Sequence, residues 1–185
     1  MRIAITGGIG SGKSYVCRLL ALRGIDIYDC DAGAKRLMHS SEELKAKLTA
    51  LIGSDAYVDG RLNKAVVAEF LLASEANKQA INGIVHPAVI RDFHSSGTDW
   101  MECAILYDAH LEWAVDRVVC VSAPEAVRVE RIMARDGISV EKAREWIAAQ
   151  MPQEEVERRA DYVVFNDGKR SLEEQIEALL EQLVD

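Results

Sequence analysis

The chain has 185 residues, 49% of them hydrophobic and 28% charged, the balance of one soluble globular domain with a proper core. Its formal net charge of −8 argues against a general nucleic-acid binder. No apolar run reaches the length of a membrane span and no signal peptide precedes Met1-Arg2-Ile3, so a cytoplasmic protein without membrane contact is expected. Charge is unevenly spread: residues 1–40 hold six Lys/Arg against three Asp, residues 41–140 ten against fifteen acids, and residues 141–185 six against twelve. Cys17, Cys30, Cys103 and Cys120 lie singly in apolar segments, without the spacing of a zinc site or a disulfide framework.

A short apolar run, Ile3–Thr6, reads as a buried strand. It feeds Gly7-Gly8-Ile9-Gly10-Ser11-Gly12-Lys13-Ser14, a complete G-x-x-x-x-G-K-[ST] phosphate loop, and the helical pattern Lys13–Leu22 follows. Strand, glycine loop and helix N-terminus together make an anion cradle of backbone amides. Lys13 suits the β- and γ-phosphates and the Ser14 hydroxyl suits Mg²⁺, so a nucleoside triphosphate is expected. The basic excess of residues 1–40 lies beside this anion site.

The second strand is expected at Ile25–Tyr28, followed by Asp29-Cys30-Asp31. On extended backbone the two carboxylates would share one face, at the strand end where α/β sheets bind ligands. One carboxylate can orient or deprotonate an attacking hydroxyl while another helps hold Mg²⁺ through water. Asp31 also reads as the N-cap of a helix over Ala32–Met38, and capping and catalysis are compatible.

Helical patterns then fill roughly residues 32–96: Glu42–Leu51, Lys64–Leu72, Glu75–Val85, and a further helix opened by Pro87. That stretch is too long for a plain crossover and reads as an inserted helical substrate lobe. His86-Pro87 closes it, with His86 either a helix cap, a satisfied buried polar group or a substrate contact. Ser95–Thr98 returns the chain to the sheet.

Further strands are expected at Cys103–Tyr107, Arg117–Val121 and Tyr162–Phe165. Tyr107-Asp108 then lies at the strand edge that carries the phosphate loop, where Asp108 is either substrate-facing or simple loop polarity. Helices are expected at Pro124–Arg135, Val140–Ala149, Gln153–Ala160 and Ser171–Leu183. Arg128, Arg131 and Arg135 share one helical face, either as a clamp on triphosphate oxygens or as a solvated face paired with nearby acids. Arg144, Arg158 and Arg159 are weaker candidates in a Glu-rich region, and Asn166-Asp167-Gly168 is a turn. The fold class is therefore α/β, with a five-stranded parallel sheet between helical layers.

Taken together, Thr6–Ser14, Asp29-Cys30-Asp31, Val85-His86-Pro87, Ile105–Asp108, Arg131 with Arg135-Asp136, Gln150, Ala160-Asp161 and Asn166-Asp167-Gly168 resemble the dephospho-coenzyme A kinase family, in order along nearly the whole chain. The resemblance implies a three-layer P-loop kinase fold: a core of about residues 1–31, 97–135 and 160–185, a coenzyme-binding lobe of about 32–96, and a helical lid of about 136–159. It implies ATP-dependent phosphorylation of the ribose 3′-hydroxyl of dephospho-CoA, giving coenzyme A and ADP, with Mg²⁺ as the metal. By the same resemblance Asp31 is the general base, Asp29 a helper for Mg²⁺ or substrate, and Arg131 and Arg135 contact phosphate. Gly8, Gly10, Ser11, Gly12, Lys13, Ser14, Tyr15 and Asn166 would bind ATP, Ser14 and Asp29 the metal, and Asp31, His86 and Asp108 the acceptor.

Three positions depart from the family pattern: Tyr15 stands where Thr is usual, Tyr107-Asp108 where Phe-Glu is usual, and Trp146 where an arginine is common. Either Arg144 substitutes for that arginine or the lid carries less charge. Another small-molecule or nucleotide kinase of this fold, and an inactive nucleotide-binding regulatory module, are the competing readings. A GTP switch is disfavoured by the lack of an N-K-x-D tetrapeptide. A monomer is the simplest expectation for the assembly.

Overall fold

The computed structural model describes residues 1–184; Asp185, the last residue of the expected core, lies outside the described residues. The chain opens with strand β1 (Ile3–Thr6), helix α1 (Lys13–Ala21), strand β2 (Ile27–Asp29), α2 (Cys30–Ser40) and α3 (Glu42–Ile52). A small hairpin, β3 (Tyr57–Val58) and β4 (Arg61–Leu62), precedes α4 (Lys64–Ala73) and α5 (Glu75–Ser95). The remainder is β5 (Trp100–Glu102), β6 (Arg117–Ser122), α6 (Glu125–Asp136), α7 (Val140–Ala148), α8 (Gln153–Arg159), β7 (Tyr162–Phe165) and α9 (Leu172–Val184). Five strands form one sheet in the order β2-β5-β1-β6-β7, and the chain divides into two compact units, Met1–Ile27 with Thr98 onward, and Tyr28–Gly97.

In the first unit, β1 lies between β5 and β6 with both pairings parallel, Ile3 opposite Trp100 on one side and Arg117 on the other. All four β1 residues are buried, which is why the run is apolar without alternation. Along β6 the two faces separate by parity. Val119 and Val121 join the core made with Val16 and Leu20 of α1 and Ile176 of α9. Cys120 and Ser122 instead meet α8, where Gln153 Nε2 donates to the Cys120 sulfur at 3.3 Å and Ser122 donates to Glu157. Burial and the Glu157 carboxylate push the Cys120 thiol up to about 12, so it stays protonated. None of the four cysteines is in a disulfide, and all four are buried.

The third strand was expected at Cys103–Tyr107; the strand is Trp100–Glu102, and a turn begins just after Cys103 and takes in the rest of that run. The run is apolar because Cys103, Leu106 and Tyr107 are buried as a turn, with the Arg159 guanidinium 4.1 Å above the Tyr107 ring. The second strand begins two residues later than expected and runs through Asp29.

In the second unit, α2, α3 and α4 pack against α5, whose Ile81, Val85, Val89, Ile90 and Phe93 are buried. Ser41, Asn63 and Ser74 cap α3, α4 and α5 through the amides of Leu44, Val66 and Asn77. The expected break at His86-Pro87 is absent: α5 runs unbroken for 21 residues with Pro87 inside it. An interior proline removes one helical hydrogen bond and costs about 3 kcal/mol. Burial of the apolar stripe on both sides of Pro87 holds the helix through it.

Candidate active site

The phosphate loop is built from its carbonyls outward. Gly7, Gly10 and Gly12 adopt φ of 140°, 79° and 92°, values that L side chains rarely reach. Each of the six carbonyls from Gly7 to Gly12 finds a donor. Lys13 Nζ donates to Gly7 O at 2.8 Å, and Ser11 N to Gly8 O at 3.1 Å. Arg128 Nε takes Ile9 O at 2.9 Å, and Arg131 Nη1 takes Gly10 O and Ser11 O at 3.3 and 3.2 Å. Asn166 Nδ2 also takes Ser11 O at 2.9 Å, and Gly12 O receives the first helical amides, Tyr15 N and Val16 N.

With the carbonyls committed, the amides carry the cradle. Among the described residues none supplies an acceptor to the amides of Gly10, Gly12 or Ser14. The Ser11 hydroxyl is buried and likewise without a partner. A ring of donors at the start of α1 is the chemistry an anion needs. Two further loop amides are held from elsewhere: Ile9 N donates to Gln150 Oε1 at 2.7 Å and Gly8 N to Gln153 Oε1 at 3.4 Å.

The arginine stripe divides in two. Arg128, 4% exposed, and Arg131 grip the loop, and Arg131 Nη2 also donates to Asn166 O and Oδ1 at 3.0 and 3.2 Å. Burial lowers the Arg128 pKa without discharging it. Arg135 is turned to Asp136 at the surface, Nη2 to Oδ2 2.7 Å. Trp146 packs with Ile9 against the cluster of Val129, Ile132 and Ala143, so at that position the chain has a packing residue. Arg144 pairs with Glu125 at 3.7 Å.

The Ser14 hydroxyl donates to Glu102 Oε1 at 3.0 Å. Glu102 ends β5 and went unnoticed in the sequence; its signal was one acid inside the apolar run Trp100–Cys103. A serine hydroxyl beside a carboxylate is a pair of hard oxygen donors, which fits Mg²⁺. Asp108, expected at a strand edge, lies within the turn that follows β5, where its Oδ1 accepts from Met151 N at 3.2 Å. Tyr15 is exposed, with the Arg18 guanidinium 5.5 Å from its ring centre.

In the second unit, Asp29 rather than Asp31 is the N-cap: its Oδ1 accepts from Ala32 N at 2.9 Å, and α2 begins at Cys30. Asp31 is therefore helical, exposed in the first turn, and the strand-parity argument for a shared face does not apply. His86 sits mid-helix in α5, not at a cap, and burial lowers its pKa.

Comparison with known proteins decides the family. The model of the family described as dephospho-CoA kinase matches residues 1–171. The chain belongs to the dephospho-CoA kinase family. It is 39% identical to the dephospho-CoA kinases of Bacteroides fragilis and Porphyromonas gingivalis, each over 97% of this chain and 91% and 92% of the relative. A crystal structure from Thermus thermophilus superposes with a TM-score of 0.83 at 34% identity, over 99% of this chain and 97% of that one. A shikimate kinase from Bacteroides thetaiotaomicron, at 14% identity and a TM-score of 0.63, shares the fold. Among the described residues no helix is long and apolar enough to cross a membrane.

Proposed function

We propose that this dephospho-CoA kinase family member transfers the γ-phosphoryl group of ATP to the ribose 3′-hydroxyl of dephospho-CoA, in the cytoplasm. The observation that carries the reading is the phosphate loop with all six carbonyls hydrogen-bonded and its amides left for an anion, in a chain of this family. The free amides of Gly10, Gly12 and Ser14 receive phosphate oxygens, and Lys13 leaves Gly7 O to join them. Gly8, Ser11, Tyr15 and Asn166 complete the nucleotide side. Ser14 and Glu102, with Asp29 as a helper, would hold Mg²⁺, and the metal would supply positive charge to neutralise the β- and γ-phosphates.

Asp31 accepts the proton of the 3′-hydroxyl as its oxygen bonds to the γ-phosphorus. The bond to the bridging oxygen breaks, and ADP leaves. Asp31 suits the task as an exposed carboxylate on a helix start, open to a substrate hydroxyl. His86 and Asp108 are assigned to the acceptor, Arg135 to phosphate, residues of about 32–96 to the coenzyme lobe and of about 136–159 to the lid. Arg131 acts on phosphate through the loop carbonyls it holds.

The test is ADP release by purified protein with ATP-Mg²⁺ and dephospho-CoA, against adenosine, AMP and shikimate. Stimulation by dephospho-CoA alone is expected. Equal stimulation by shikimate or AMP would give the chain to another kinase of this fold.

A further inference from the structure

The residue before the aspartate turn is Tyr28. Its ring packs on Phe93 of α5, centroids 5.6 Å apart and planes tilted by 51°. Its hydroxyl donates to Asp92 Oδ2, also on α5, at 2.6 Å. Arg36, in the second turn of α2, reaches the same carboxylate, with Nη1 3.5 Å from Oδ1 and Nη2 bonded to Oδ2. One carboxylate of α5 thus ties α2 both just before its start and one turn beyond Asp31.

Gly33 lies between the two ties. A methyl group there would overlap the Tyr28 hydroxyl and ring edge. Glycine in a helix interior costs about 1 kcal/mol relative to alanine. Here it lets the helix lie against the phenol. Burial and the Asp92 hydrogen bond raise the Tyr28 pKa. Burial opposes ionisation of Asp92, but the bonds from Arg36 and Tyr28 outweigh it and hold the carboxyl below its usual range. The phenol stays protonated and the carboxylate charged across the neutral range, so both ties persist there.

Helix starts fray unless they are held. Asp31 is exposed, so the α2 backbone sets where its carboxylate stands. We propose that Tyr28, Asp92 and Arg36 are positioning residues that fix the first turns of α2, and with them the carboxylate of Asp31. This rests on the assignment of Asp31 as the base.

The substitution Y28F keeps the ring and removes only the hydroxyl. In the ADP-release assay it should lower kcat about tenfold with KM for ATP within about twofold, short of the ~10²-fold that a 1 Å misplacement costs. In a D31N background the same change should cost nothing further in single-turnover rate, because the group it positions has lost its function. Wild-type kcat in Y28F, or an equal loss on top of D31N, overturns the network's role. Near-wild-type turnover by D31N alone instead defeats the assignment of the base, a separate readout. A second variant covers the steric side: G33A should lower kcat through the overlap, and Y28V/G33A should relieve the overlap while kcat stays low. Recovery of kcat in that pair would show that the hydroxyl positions nothing.

Discussion

The phosphate loop and the aspartate turn at the start of α2 are both short signatures, yet they are held in opposite ways. The loop is gripped from far along the chain: Arg128, Arg131, Asn166 and Gln150 lie 119 to 155 residues from the loop atoms they bind. The aspartate turn is held by few contacts: Asp29 accepts from Ala32 three residues on, and Tyr28 and Arg36 meet at the one carboxylate of Asp92, 64 and 56 residues away. A cradle for a triphosphate must keep many amides in one geometry, and six carbonyl anchors do that. A base must keep one carboxylate at one place, and an anchored helix start suffices.

The largest effects should come from breaking each region at its reacting group. Lys13→Ala should lower kcat/KM by on the order of 10²–10³, with weaker ATP binding, because a cation on the transferring phosphoryl is lost. Asp31→Asn should cut turnover by at least about 10² while ATP binding survives, as expected for loss of a general base. Titration calorimetry with ATP beside the turnover assay reads both. Equal ATP binding by the two variants would erase the division between a binding loop and a reacting turn.

Next come the anchors. Arg131→Met strips donors from Gly10, Ser11 and Asn166; hydrogen bonds from a charged donor contribute about 1.5–3 kcal/mol each. The expected result is a KM for ATP raised at least about tenfold, with a lower thermal midpoint, since one kind of bond serves both. An unchanged KM would show that the loop keeps its shape without Arg131. Glu102→Gln should raise the Mg²⁺ concentration for half-maximal rate by about tenfold while stability holds, because an amide is a weaker ligand for a hard cation.

A smaller effect separates two roles of Asp29. Asparagine caps helices about as well as aspartate, whereas alanine costs about 1 kcal/mol. Asp29→Asn should therefore melt like wild type, and Asp29→Ala should melt lower. If Asp29 also serves Mg²⁺, both variants lose activity; full activity in Asp29→Asn would leave it a cap alone.

The loop was legible because its signature and both flanks are contiguous, the strands β1 and β6 because burial on both faces makes them plainly apolar, and the half-buried β7 because its four residues Tyr162–Phe165 are all apolar or aromatic. The anchors were less so. Arg128 and Arg131 were visible as a stripe, but nothing local said that they face backbone carbonyls 120 residues away. The aspartate pair misled in detail, because strand parity ends where a helix begins and Asp29, not Asp31, makes that junction. Pro87 misled because proline signals a break only when packing does not overrule it. Glu102 was hidden by the misplaced third strand, whose expected start at Cys103 lies three residues after the true one at Trp100.

The smallest expected effect is one of pH, and it probes the helix that holds the second region. Burial lowers the pKa of His86, in the middle of α5. The unfolded chain takes a proton near pH 6.5, the ordinary histidine value, while the native state resists it to lower pH. As pH falls through 6.5 the unfolded state binds more protons than the native one, so stability falls; once pH is below the native value, both states are protonated and the loss stops growing. Urea unfolding of wild type should therefore weaken between pH 7.5 and 5.5. His86→Gln should flatten that slope, because a neutral amide has no proton to gain. A slope that survives in His86→Gln would assign the acid sensitivity to other groups and leave α5 indifferent to its half-buried imidazole.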